Sequence, residues 1–325
     1  MVSKVLVVAA GVVALGWIGA AAAQSLPIEW TISPSGSANG ANAVQLALSY
    51  RTEGKGRSTH SGPHPLSELQ GLTAEQIASL EGSPARFRIV REAGALDCNG
   101  IVRRARGTGE CSFLADAGFA AALQRRGLGR PSLSQHYQLM LQNVGTPLLE
   151  ELERQGYRRP DLDGLVSAGI HGVSASYVRS MADAGYRLGN VEDLVSFRIH
   201  GVDADYVREM AALDPPGGRF SADQLVGMRI HGLTGAKARQ YAQLGYRKLG
   251  HEDWISMSIH GVSPSFISEL ADAGYRGLSA QQLVSMRIHG VTPDYVRQVR
   301  AAGYTLPDAE QLVRMRISGV RPGRR

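Results

Sequence analysis

The sequence predicts an α+β protein: a small β-rich N-terminal domain at residues 24–115, followed by an α-solenoid of 29-residue helical hairpins at 116–320. Three observations predict it. Alternating or β-branched runs separated by turn residues fill the region up to Ala115. Beyond it, a tetrapeptide recurs as Ile170-His171-Gly172-Val173, Ile199-His200-Gly201-Val202, Ile230-His231-Gly232-Leu233, Ile259-His260-Gly261-Val262, Ile288-His289-Gly290-Val291 and finally Ile317-Ser318-Gly319-Val320. Its spacings of 29, 31, 29, 29 and 29 are the mark of a stacked repeat array. Third, residues that favour helix N-caps fall in two columns in register with that period.

The chain opens with Lys4, an apolar run from Val5 to Ile18 and the small residues Ala20 to Ala23, a secretory signal pattern with cleavage expected near Ala23-Gln24. No later apolar segment approaches the roughly 20 residues of a membrane span, so a periplasmic or secreted protein is expected, with no span beyond the signal peptide. An uncleaved N-terminal anchor would leave the rest on the same side. Strands are expected at Ile28–Ile32, Ala43–Tyr50, Ala85–Val90, Ala95–Val102 and Gly109–Leu114. One helix interrupts them, where Thr73 and Gln76 form a capping box ahead of Ile77 and Leu80. The polar, Gly-rich stretch from Arg51 to Pro65, with His60 and His64, reads as a mobile loop. The two cysteines, Cys98 and Cys111, flank a turn expected around Gly107–Gly109 and read as a disulfide stapling that hairpin, worth about 3 kcal/mol in the chain-entropy model.

In the array, Ser132, Asp161, Asn190, Ser221, Gly250, Ser279 and Asp308 precede the first helix of each repeat. Asp116, Gly145, Ser174, Asp203, Thr234, Ser263 and Thr292 precede the second. All fourteen are N-cap residue types. Gly172, Gly201, Gly232, Gly261, Gly290 and Gly319 stand where a left-handed residue ends the first helix, and Gly127, Gly156, Gly185, Gly245, Gly274 and Gly303 where one ends the second, the glycine being lost at Pro215-Pro216. Apolar columns lie between the caps: Leu165, Leu194, Leu225, Trp254, Leu283 and Leu312 in the first helix, Phe119, Leu148, Tyr177, Tyr206, Phe266 and Tyr295 in the second. Helices of about ten residues are marginal alone, so stacking must stabilise them. Because the array begins at Asp116, the β-rich domain is expected to cap it. Two irregularities interrupt the pattern: two extra residues around Pro215-Pro216, and Lys237 in place of the second-helix aromatic. After Val320 comes the basic tail 321–325, so the last copy lacks its second helix.

The formal charge of +6 owes much to Arg321, Arg324 and Arg325. Between Asp116 and Val320 there are 22 Lys and Arg against 21 Asp and Glu, so charge does not point to nucleic acid. His171, His200, His231, His260 and His289 form a column that invites a metal. Stacked helices lie about 8–10 Å apart, however, so imidazoles of successive repeats cannot share a zinc at about 2.1 Å per bond. The plain reading is that each histidine bonds the last carbonyls of its helix, and the rival is a pH-sensing column. Arg198, Arg229, Arg287 and Arg316 form one row, and Arg179, Arg208, Arg239 and Arg297 a second. Lining one face, they would grip an acidic protein segment or an anionic glycan, and this surface is the expected binding site; a solvated face with local ion pairs is the alternative. No catalytic, phosphate-binding or metal motif is present and no cofactor is implied; His251-Glu252-Asp253 lacks the second histidine of a zinc protease motif.

The phrase from Leu283 through Ile288-His289-Gly290-Val291-Thr292-Pro293 to Val296, with its copies, resembles tandem repeats in some homologues of the beta-lactam-sensing antirepressor zinc metallopeptidases. The likeness covers 116–320, while the peptidase motif and membrane helices of that family are absent, so peptidase activity does not carry over. The resemblance implies an extracytoplasmic relative in an envelope-stress or antibiotic response. The same phrase resembles, more weakly, the helix-hairpin-helix motif of DNA-binding proteins. There the second hairpin glycine is here Thr292, Ser263, Thr234, Asp203 or Ser174, and an acid at a phosphate-facing position argues against DNA. The expectation is a non-enzymatic scaffold or sensor accessory with a protein partner in the cell envelope. Its rival is an envelope hydrolase with a site in the β-rich domain.

Overall fold

The computed structural model describes residues 26–35, 42–52, 56–305 and 307–320. The signal-peptide reading of 1–23 and the basic tail 321–325 lie outside them. The chain divides into two units, one running to Ile89 and taking in Leu96–Leu114, the other made of Val90–Ala95 and the chain from Ala115.

The first unit is a six-stranded antiparallel sheet of β1 (Ile28–Pro34), β2 (Ala43–Thr52), β3 (Gly56–Pro65), β4 (Ser83–Arg91), β5 (Gly94–Arg103) and β6 (Arg106–Ala115), in the order β3-β2-β1-β6-β5-β4. Two meanders are joined where β1 pairs with β6, Trp30 opposite Gly109. Alternation buries one face, with Ile28, Trp30 and Ile32 on β1 and Val44, Leu46, Leu48 and Tyr50 on β2. Trp30 is fully buried against Phe87, its indole N–H donating to the Asn99 carbonyl at 3.0 Å. A β-carbon on Gly100, Gly107 or Gly109 would fall within 3 Å of the indole ring, so these strand glycines exist to seat it.

Three expectations need correction here. The stretch expected as a mobile loop contains β3, paired with β2 from Thr52 opposite Gly56 to Ala43 opposite Pro65. It is an edge strand exposed on both faces for most of its length, so no apolar alternation marks it. The β5–β6 turn lies at Arg104–Ala105, both left-handed, whose amides donate to Ser79 and Ile77 carbonyls; Gly107–Gly109 belong to β6. The Thr73–Gln76 capping box is present, but α1 (Ala74–Ala78) ends before Leu80, which is exposed. Cys98 and Cys111 form the disulfide across β5 and β6.

The second unit contains α2 (Ala117–Arg125), α3 (Leu133–Leu141), α4 (Thr146–Arg154), α5 (Leu162–Ile170), α6 (Ala175–Asp183), α7 (Val191–Ile199) and α8 (Ala204–Ala211). It continues with α9 (Ala222–Ile230), α10 (Gly235–Gln243), α11 (His251–Ile259), α12 (Pro264–Asp272), α13 (Ala280–Ile288), α14 (Pro293–Ala301) and α15 (Ala309–Ile317). Each of the fourteen expected caps is the N-cap of its helix, twelve of them through the side chain. At Gly145 the missing side chain is replaced by Glu92, whose carboxylate accepts from the Thr146 amide at 2.9 Å. Beside it Arg91 donates to the Met140 and Leu141 carbonyls at the end of α3.

From α3 onward each helix meets the next but one: α3 with α5, α5 with α7, and so on to α13 with α15, and likewise α4 with α6 through α12 with α14. The apolar columns fill these contacts, with Leu165, Leu194, Leu225, Trp254, Leu283 and Leu312 all fully buried. Buried tyrosines add directed links. Tyr186, Tyr246 and Tyr275 donate to the carbonyls of Phe220, Leu278 and Pro307, each just ahead of the second first-helix cap that follows the tyrosine: Ser221, Ser279 and Asp308. Where the glycine is lost in the Pro215-Pro216 irregularity, Asp214 takes the left-handed conformation.

Candidate functional site

The first arginine row is engaged within the chain. Arg198 lies 5.0 Å from the Tyr177 ring centre, Arg229 4.8 Å from Tyr206, Arg287 4.9 Å from Phe266 and Arg316 4.8 Å from Tyr295. In each case the guanidinium comes from the first helix of one repeat and the ring from the second helix of the repeat before. Arg198 Nε also donates to the His171 carbonyl at 3.1 Å. Its path crosses Gly172, where a β-carbon would stand 2.9 Å from the guanidinium, as it would at Gly201 under Arg229. The glycine therefore serves twice, as the left-handed helix stop and as the gap the arginine crosses.

From Leu148 onward the ring and arginine columns change together. Where the ring is replaced by Leu148, the arginine position holds Gly169; where it is replaced by Lys237, that position holds Ser258. The irregular repeat substitutes an interior link. Tyr241, one turn beyond Lys237, donates to the Val262 carbonyl and packs on Trp254 at 5.4 Å. Val262 corresponds to Val202 and Val320, the acceptors for Tyr177 and Tyr295.

The second row is held by neighbouring acids. Arg179 contacts Glu151 at 2.9 Å, Arg208 pairs with Asp205 at 2.7 Å, Arg239 with Glu209 and Arg297 with Asp294. Glu151 is buried, and hydrogen bonds from Gln155 and Arg179, with the charge of Arg154, hold its carboxyl below the usual carboxylate range. Both rows are brought into intramolecular contacts, and any ligand they gripped would compete with those.

His171, His200, His231, His260 and His289 occupy the C-cap position of their helices. Their imidazoles do not bond the last carbonyls, contrary to the plain reading. Helical side chains lean toward the N-terminus, away from those carbonyls, which instead receive amides from the residues just beyond the cap, such as Val173 to Ala168 and Val291 to Met286. Among the described residues no group of three or more His, Cys, Asp or Glu is placed to hold a metal ion.

One set of residues was not singled out by the sequence reading. Ile170, Ile199, Ile230, Ile259, Ile288 and Ile317 are each 55–63% exposed. Five of them adjoin a column histidine, and four follow directly on a stacked arginine. Isolated exposed apolar residues are ordinary, but the same residue exposed at every repeat makes a stripe. The helical period could have found it. Isoleucine lies five residues beyond the buried leucine of its helix, about 140° around the axis at 100° per residue. Comparison with family models, with curated proteins and with solved structures returns no match to this chain.

Proposed function

We propose that this chain is a non-enzymatic, exported scaffold whose repeats stack as a helical solenoid and bind a protein partner along the Ile–His stripe. The observation that carries this reading is the stripe itself: six isoleucines at the same position of their helices, each more than half exposed. Stacking is supported by the contacts between every second helix and by the tyrosine links between repeats. Export is supported by the N-terminal pattern of Lys4, an apolar run and small residues, and by the Cys98–Cys111 bridge. The resemblance to the antirepressor-associated repeats suggests a partner in an envelope-stress or antibiotic response. Neighbouring Arg198, Arg229, Arg287 and Arg316 add positive charge beside the isoleucines, which favours an acidic, amphipathic segment of that partner.

Photo-crosslinking from positions 199, 230 and 259 in intact cells, read by mass spectrometry, tests this. The expected result is one dominant protein, lost when the other stripe isoleucines become serine, while urea stability changes by less than about 0.5 kcal/mol per substitution. Capture that survives the serine substitutions contradicts the reading. So does a collapse of stability, which would make the stripe structural.

A further inference from the structure

At the Leu148–Gly169 junction, where both members of the ring–arginine pair are absent, a cavity of about 330 Å³ opens within the helical unit. Its lining repeats the surroundings of Arg198 one repeat earlier. Leu148 stands for Tyr177, Asn143 for Gly172, Gln142 for His171, and Gly169 for the arginine itself, each 29 residues back. Asn143 even keeps the left-handed backbone of its glycine counterparts. At four other junctions this place is filled by a guanidinium of the chain. Here no side chain can be supplied from position 169, because a β-carbon would fall 2.6 Å from Val144.

The slot also carries an acid from outside the repeats. Glu92 lines it, exposed, with one carboxylate oxygen on the Thr146 amide. Ser174 contributes a hydroxyl on the far side. Arg91, the nearest fixed cation on that turn, is committed to the Met140 and Leu141 carbonyls and is not part of the lining. At the second junction lacking the pair, Tyr241 packs on Trp254 in the interior instead.

We propose that this slot is a binding site for an arginine side chain of a protein partner, which supplies in trans the guanidinium that the other junctions supply in cis. Glu92 pairs with its charge, and the repeat geometry around Asn143 and Leu148 receives its planar head. Ile170 of the stripe adjoins Gly169 in sequence, but the proposal does not rest on the stripe.

The test is a titration of the full chain, free of its signal segment, with the N-acetyl amides of arginine, lysine and citrulline, read by amide shifts at Asn143, Gly145 and Gly169. Arginine is expected to give saturable shifts with a Kd of roughly 1–10 mM, as suits a single-residue probe. Lysine, a point charge without the fork, should bind at least about 5-fold more weakly, and uncharged citrulline at least about 10-fold. Gly201 and Gly290, at junctions already stapled, should not move. Glu92→Gln keeps an acceptor for the Thr146 amide but removes the charge, and should weaken arginine about 10-fold with an unchanged thermal melt. Ala175→Phe, filling the slot from its lining, should abolish the shifts. Absence of saturable shifts with arginine, equal binding of citrulline or lysine, or an unaltered Kd in Glu92→Gln would each overturn the proposal.

Discussion

The junction between Tyr206 and Arg229 and the one between Lys237 and Ser258 are successive copies of the same contact, built differently. In the first, a guanidinium from one repeat covers the ring of the repeat before it, on the outside of the helices. In the second, both members are gone, and Tyr241 with Trp254 makes the link from the interior. A residue kept for a ligand would have no reason to disappear together with a ring on another helix. The arginine row is thus read as a set of clamps between repeats, which is why the proposed binding surface is the isoleucine stripe.

Removing the interior link should have the largest effect. Trp254→Ala, at a fully buried ring, is expected to cost about 3–5 kcal/mol in urea unfolding, because this junction has no external clamp to share the loss. A cost below about 1 kcal/mol would mean that the ring is not what holds the two repeats together.

Alkaline pH probes the tyrosine links of both kinds of junction. Burial pushes the Tyr177 and Tyr206 hydroxyls well up, with Arg198 and Arg229 opposing it, and pushes Tyr241 up to about 12. A raised folded-state value means that the stabilisation is complete below the ordinary tyrosine value near 10 and is lost as pH rises through the folded value. At pH 11 each such tyrosine should cost about 1.4 kcal/mol relative to pH 8. Equal urea midpoints at the two pH values would show that these hydroxyls ionise as freely as in the unfolded chain.

Much of the helical unit was legible because caps are local. Ser132 with Gln135 and Ser279 with Gln282 announce their helices within four residues of sequence. The cap on α4 was not, since Glu92 reaches Thr146 from 54 residues away. Strand β3 was hidden for a different reason: its ladder is made by main chain, and its Ser, Thr, Gly and His side chains bury almost nothing. The candidate site was half legible. The arginine and ring columns were each visible, but their coupling depends on which helix of one repeat meets which of the next, and only the stacked structure shows that Arg229 reaches Tyr206. The histidines attract attention by their chemistry, whereas the isoleucine before each one is conspicuous only once its exposure is known.

The clamp reading is tested most directly by a double-mutant cycle on Tyr206→Leu and Arg229→Ser, the residue types found where the pair is absent. The cycle is clean because the buried Tyr206 hydroxyl has no hydrogen-bond partner among the described residues, so its removal takes away only the ring contacts. A coupling free energy of about 0.5–2 kcal/mol from urea unfolding is predicted, with Ile230→Ser as an uncoupled control. Single-mutant effects that add to within about 0.3 kcal/mol would contradict it, and would return the arginine row to the list of candidate binding residues.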